Sequence, residues 1–170
     1  MMENENFETV NVAVQADNDE MKGKYLTFWT DGQLFGVPIT DVVQIVGMQE
    51  ITQIPEYPYY AKGIINLRGA IVPLIDVRLR LGKPEAEYND RTCIIVANVH
   101  DIYFGFIVDE VEEVTDISDD QISPPPKLNS DTVNQYLTGV AHKGDKLVLT
   151  INTAKILGED EFDALIQDAQ

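Results

Sequence analysis

The side chains able to do chemistry in this 170-residue chain are few, and their placement points to recognition rather than catalysis. His100 and His142 occupy or adjoin apparent hairpin turns, where polar turn chemistry accounts for them. Cys93 is the single cysteine and lies in the apolar run Cys93 to Ala97, so neither an intramolecular disulfide nor a cysteine metal site can be built. No serine or cysteine has a nucleophile motif around it, no phosphate-cradling glycine loop follows a strand, and no carboxylate pair is selected by spacing. A small hydrolase is thus an alternative with no residue set behind it. Asp109 to Asp120 holds seven acids and no base but lacks the glycine-punctuated spacing of a calcium loop. That run reads as a solvated face or as a dock for a basic partner. Neither cofactor nor metal is expected. Arg68 is different, because a guanidinium in a turn between two apolar strands can present its fork of donors to a partner's carboxylates or carbonyls. A solvated turn arginine is the equal alternative.

Charge narrows the partners. Twelve basic residues against 29 acidic ones leave a net charge of −17, which excludes an unaided nucleic-acid or anionic-membrane binder. The N-terminus has no basic region before an apolar one, and no apolar run approaches the ~18 residues of a membrane span. A cytoplasmic protein that reaches a membrane only through a partner is expected. Half of the basic residues fall between Lys62 and Arg91, a span of net charge +2.

Short β-rich runs bounded by turn residues must position these groups. Residues 1–23 are acidic and poor in large apolar side chains, and are expected to be a disordered leader. Tyr25 to Thr30 and Leu34 to Ile39 form a hairpin about Asp31-Gly32-Gln33, with Pro38 implying an edge strand. Further strands are expected over Ala61 to Leu67, Ala70 to Ile75, Thr92 to Val99, Ile102 to Val108, Leu137 to His142 and Lys146 to Ile151. Helical signals are short: Thr40 capping Asp41 to Val43, and Asn152-Thr153 opening Ala154 to Leu157. The spacing of Phe162, Leu165 and Ile166 predicts a C-terminal helix over 159–170.

The chain also repeats itself. Gly63 to Gly82 aligns without a gap on Gly139 to Gly158, an offset of 76 residues, matching Val72 with Val148, Ile75 with Ile151, and Asp76 with Asn152. Phe35-Gly36-Val37 matches Phe104-Gly105-Phe106, and Val42 matches Val111, at an offset of 69. A duplicated unit of about five strands follows, over roughly 24–82 and 91–158. The expected fold is all-β: two small five-stranded barrels sharing an apolar interface, with a groove between them.

Tyr25 to Phe28, Phe35-Gly36-Val37, Val42 to Ile45, Ile51 to Pro55 and above all Lys62 to Arg78, through Asn66-Leu67-Arg68-Gly69, resemble the CheW family of bacterial chemotaxis coupling proteins. The resemblance covers residues 24 to about 158. It implies two SH3-like barrels and a non-catalytic adaptor linking chemoreceptor cytoplasmic tips to the regulatory domain of the histidine kinase CheA, in receptor arrays at the inner face of the membrane. The same fold occurs in that kinase domain and in CheV, whose receiver domain has no counterpart among the dozen residues after Gly158. A CheV-like coupling module or an isolated kinase regulatory-type domain is the alternative.

The resemblance, together with the residues that flank its motifs, gives an expected receptor-binding set of Val42, Val43, Gln44, Lys62, Gly63, Asn66 and Arg68. Val42 matches a receptor-contact valine of the family, Gly63 a glycine linked to receptor binding, and Arg68 the motif arginine of the receptor-coupling surface, although on residue type alone a left-handed turn or a close strand approach is the stronger reading of Gly63. Gln44 stands where members usually carry a glutamate, so the ion pair with the motif arginine is replaced at most by a weaker hydrogen bond. On residue type alone, Val42, Val43 and Ile45 are core or groove-lining, and Lys62 and Asn66 are a polar rim or a solvated strand edge. Pro55 to Tyr60 is aromatic enough for packing or for a contact surface.

Overall fold

The computed structural model describes residues 21–125 and 135–158. The leader through residue 20 and the C-terminal helix expected over 159–170 lie outside the described residues. Eleven strands are described: β1 (Lys24–Thr30), β2 (Gln33–Pro38), β3 (Val42–Gly47), β4 (Ala61–Leu67), β5 (Ala70–Asp76), β6 (Cys93–Val99), β7 (Ile102–Val108), β8 (Glu110–Asp116), β9 (Ile122–Ser123), β10 (Leu137–Lys143) and β11 (Lys146–Ile151). Two short helices, α1 (Val77–Arg80) and α2 (Thr153–Leu157), follow β5 and β11.

The strands form a six-stranded sheet, β8-β1-β2-β11-β10-β9, and a five-stranded sheet, β3-β6-β7-β5-β4. These are the two barrel units, but neither is made from one half of the chain. The repeat led to one barrel over 24–82 and another over 91–158; instead each half lends its first hairpin to the other's sheet. The β1–β2 hairpin lies between β8 and β11, and the β6–β7 hairpin lies between β3 and β5. The exchange is symmetric, since the parallel contact of Leu74 with Gly105 is matched by that of Thr150 with Gly36.

Both faces of the inner strands are buried, which is why they read as continuous apolar runs. Along β6, Cys93, Ile95 and Ala97 enter a large cluster shared by both sheets, whereas Ile94 and Val96 enter a smaller one with Val72, Leu74 and Ile107. The shared cluster contains Phe28, Phe35, Phe104 and Phe106, each at most 1% exposed. Each such burial contributes about 2 to 3 kcal/mol. A third cluster, with Leu34, Ile117, Ala141 and Val148, fills the six-stranded unit.

Several local expectations are corrected. Thr40 to Val43 is not a helical turn that continues: a 3-10 turn covers Ile39–Asp41, and Val42 already begins β3, held by pairing with β6. The acid run is mostly a strand and not a loop, because Glu110–Asp116 pairs with β1 as an edge strand, with Glu113 and Asp116 exposed on it. Pro38 does not mark an edge, since β2 is flanked by β1 and β11. Its missing N–H is tolerated because the β11 contact stops at Phe35 and Gly36.

Candidate functional site

The β4–β5 turn is built to hold one conformation. Arg68 has φ 55° and Gly69 φ 91°, and the Gly69 amide donates to Asn66 Oδ1 at 2.8 Å. Left-handed backbone at a residue with a side chain is uncommon, and here the asparagine braces it. Asn66, Arg68 and Gly69 are exposed.

Register decides what stands beside this turn. β5 and β7 run parallel, and Val42 at the start of β3 pairs with Ala97 near the end of β6. The β4–β5 turn, the β6–β7 turn at His100-Asp101 and the start of β3 therefore share one end of the five-stranded sheet. Val43 and Leu67 are half-buried there against the smaller cluster, and Tyr103 is 44% exposed.

Of the seven residues in the receptor-binding set, Val43, Asn66 and Arg68 lie at this end of the sheet. Val42 does not belong to its surface: at 1% exposure it is part of the shared core, and its side chain is unavailable to a partner. Gly63 is likewise structural. It has φ 140°, and a Cβ there would lie 2.2 Å from the Thr52 carbonyl oxygen, so the bridge between Thr52 and Ile64 requires glycine. Gln44 is buried on β3, at 7% exposure. Lys62 is engaged within the chain by Glu85 at 2.5 Å, which holds the Glu85 carboxyl below its ordinary range.

Other charges are also spoken for. Arg78 binds Asp109 at 2.8 Å and Asp31 at 3.1 Å, and the Asp109 bond raises its already high pKa. Glu110, Glu112 and Asp116 pair with Arg91, Lys146 and Lys24. Four acids of the run are thus matched internally, which weakens the reading of a dock for a basic partner. Cys93 is buried, and burial pushes its thiol pKa up to about 12, the opposite of a nucleophile's requirement. Among the described residues no group of three or more His, Cys, Asp or Glu could hold a metal ion, and no helix is long and apolar enough to cross a membrane.

Leu67 and Tyr103, which also stand at this end, were not singled out from the sequence. Leu67 lay inside the quoted motif, and Tyr103 is a polar-tipped ring in an otherwise apolar strand. Nothing in the linear order signals that they share an end of one sheet.

The family model for the CheW-like domain matches residues 24–161. The chemotaxis protein CheW of Klebsiella aerogenes is 32% identical over 139 residues, covering 82% of this chain and 84% of its own. That of Bacillus subtilis is 30% identical, covering 85% and 93%. The crystal structure of the scaffolding protein TtCheW from Thermoanaerobacter tengcongensis superposes with a TM-score of 0.76 at 33% identity, covering 82% of this chain and 94% of that one. Two sheets with exchanged hairpins, a braced arginine turn and these likenesses over most of its length place the chain in the CheW family of chemotaxis coupling proteins.

Proposed function

We propose that this protein is a non-catalytic adaptor that ties the cytoplasmic tip of a chemoreceptor to the regulatory domain of the histidine kinase CheA. It would work in the cytoplasm, in receptor arrays at the inner face of the membrane. The observation that carries the receptor half of this reading is the β4–β5 turn, where an exposed arginine is presented on a backbone that Asn66 holds in place. A preset turn loses little conformational entropy when a partner binds, and a guanidinium fork suits the carboxylates and carbonyls of a helical hairpin. The family supports the kinase half.

Calorimetric titration against a chemoreceptor cytoplasmic hairpin and against the kinase regulatory domain, both from the same organism, tests the reading. Arg68→Ala is expected to weaken the hairpin at least about tenfold and to leave the kinase domain unaffected. Folded protein that binds neither partner refutes it.

A further inference from the structure

No helix or strand covers Leu81 to Thr92, the strap that joins the two halves of the chain. Neither half has a sheet of its own to fold on. Within residues 24–82 the strands pair as two separate hairpins, β1–β2 and β4–β5, and β3 pairs with neither. Isolated two-stranded hairpins are marginal in water. Both sheets close through the other half, with β1 on β8, β2 on β11, β3 on β6 and β5 on β7. Side chains add to the same contact, Arg78 with Asp109 and Trp29 with Glu112 among them.

A second copy of the chain offers the same complementary half, residue for residue. Closing on it reproduces every strand pairing and every bond between halves, so the two closures differ at the strap. The strap is slack: Asp76 and Ile94 both pair with Ile107, one on each flank of β7, which puts them about 10 Å apart. Its twelve residues reach about 40 Å when extended. Against the first half the strap is held by the Lys83 amide on the Arg78 carbonyl at 2.8 Å, by Glu85 on Lys62 at 2.5 Å, and by the Tyr88 hydroxyl, which donates to Asp76 Oδ2 at 2.7 Å. The Glu85 carboxylate is exposed, and such a pair holds weakly. The Tyr88 bond is stronger, because Asp76 is 1% exposed and its other oxygen is taken by the Leu79 amide. Asn152, the repeat counterpart of Asp76, caps its helix with a neutral side chain. The cap therefore does not require a carboxylate, and the second oxygen of Asp76 serves Tyr88.

We propose that the strap is a hinge across which two copies exchange halves, and that the Tyr88–Asp76 bond is the latch favouring closure within one chain. In the exchanged dimer each folded body combines residues 24–82 of one copy with residues 91–158 of the other. Straightening the strap withdraws Tyr88 and opens Asp76 to water, while the contact between halves is kept. Closure within one chain acts at the effective concentration of a short tether, on the order of millimolar, so the exchanged dimer belongs to concentrated protein. Each body contains one Arg68 turn, and the dimer therefore carries two. The exchange follows from the strand pairing and is independent of the adaptor reading.

The test refolds the full chain from urea at concentrations from about 10 μM to about 1 mM and follows its mass by light scattering after size exclusion. A specific protease site inserted between Ala86 and Glu87 identifies the kind of dimer. Cutting the strap should halve the mass of an exchanged dimer, whereas a dimer held by surface contacts keeps its mass. The unaltered chain is expected to be monomeric at the low end and to form a dimer that cutting dissolves at the high end. Tyr88→Phe removes the latch hydroxyl and leaves the packing ring, and should lower the concentration giving half dimer at least about tenfold. Monomer throughout in both proteins, or a dimer that survives cutting, overturns the exchange. A dimer that cutting dissolves but that Tyr88→Phe leaves at the same concentration overturns the latch.

Discussion

Asp76 and Asn152 do the same work in the two halves of the chain. The Asp76 amide donates to the Tyr60 carbonyl at 2.8 Å and the Asn152 amide to the Tyr136 carbonyl at 2.9 Å. Each side chain then caps the helix that follows, Asp76 through the Leu79 amide and Asn152 through those of Ala154 and Lys155. Arg80 joins the copies. Its guanidinium lies 4.2 Å from the Tyr60 ring centroid and 5.4 Å from that of Tyr136, and its Nε donates to the Ile156 carbonyl at 2.9 Å. One residue of the first half therefore holds the equivalent corners of both together.

Arg80→Ala is expected to destabilise the fold by about 2 kcal/mol, through loss of two ring contacts and of a partner for an α2 carbonyl. Arg80→Lys should recover less than half, because an ammonium has no flat face to lay between rings. Urea unfolding of the three proteins measures both.

Gly63→Ala and Gly69→Ala separate two uses of glycine. At Gly63 the new methyl meets backbone at 2.2 Å, so Thr52 must move, and a loss of about 2 to 3 kcal/mol is expected. At Gly69 nothing lies within reach, and only the φ of 91° is unfavourable, costing about 1 kcal/mol. Equal losses in urea unfolding would contradict the close approach.

Val42→Asp and Val43→Asp should fail differently. The first buries an unpaired charge in the shared core and costs about 4 kcal/mol or more, so any binding defect follows from unfolding. The second sits at the half-buried rim and should leave a folded protein that binds the receptor hairpin poorly. Melting curves beside titrations distinguish the cases.

Bonds from Lys146 and Trp29 hold the Glu112 carboxyl below its ordinary value of 4.5. A depressed folded pKa means that the stabilisation is complete above the unfolded value and drains away as pH falls through the folded one. Stability should thus decline below about pH 4.5 partly through this group, and Glu112→Gln should flatten that part of the profile. The pair is surface-exposed, so salt should shrink the difference. Trp29 is the single tryptophan, and its fluorescence reports the same site.

Cys93 should resist a disulfide reagent at pH 8 until the fold opens globally, since its thiol is buried and its pKa lies near 12. Labelling faster than unfolding would show that β6 opens locally.

By itself the sequence determined the apolar strands, their turns, the duplication and the motif around Arg68. Those signals are local: alternating or continuous apolar runs, punctuation by glycine and aspartate, and two segments that align without a gap. β8 escaped because four of its seven residues are acids, and it becomes a strand only by pairing with β1 more than eighty residues away. β3 escaped for the same reason, since β6 and not its own neighbours holds it extended. Only the tertiary structure decided that the hairpins are exchanged, because aligned repeats are equally compatible with each folding on itself. That exchange sends Val42 into the shared core, leaves Val43 half-buried, and brings the β6–β7 turn of one half to the same end of the sheet as the β4–β5 turn of the other. Strand register and the path of the chain between sheets set such neighbours, and neither is written in the spacing of residues along one strand.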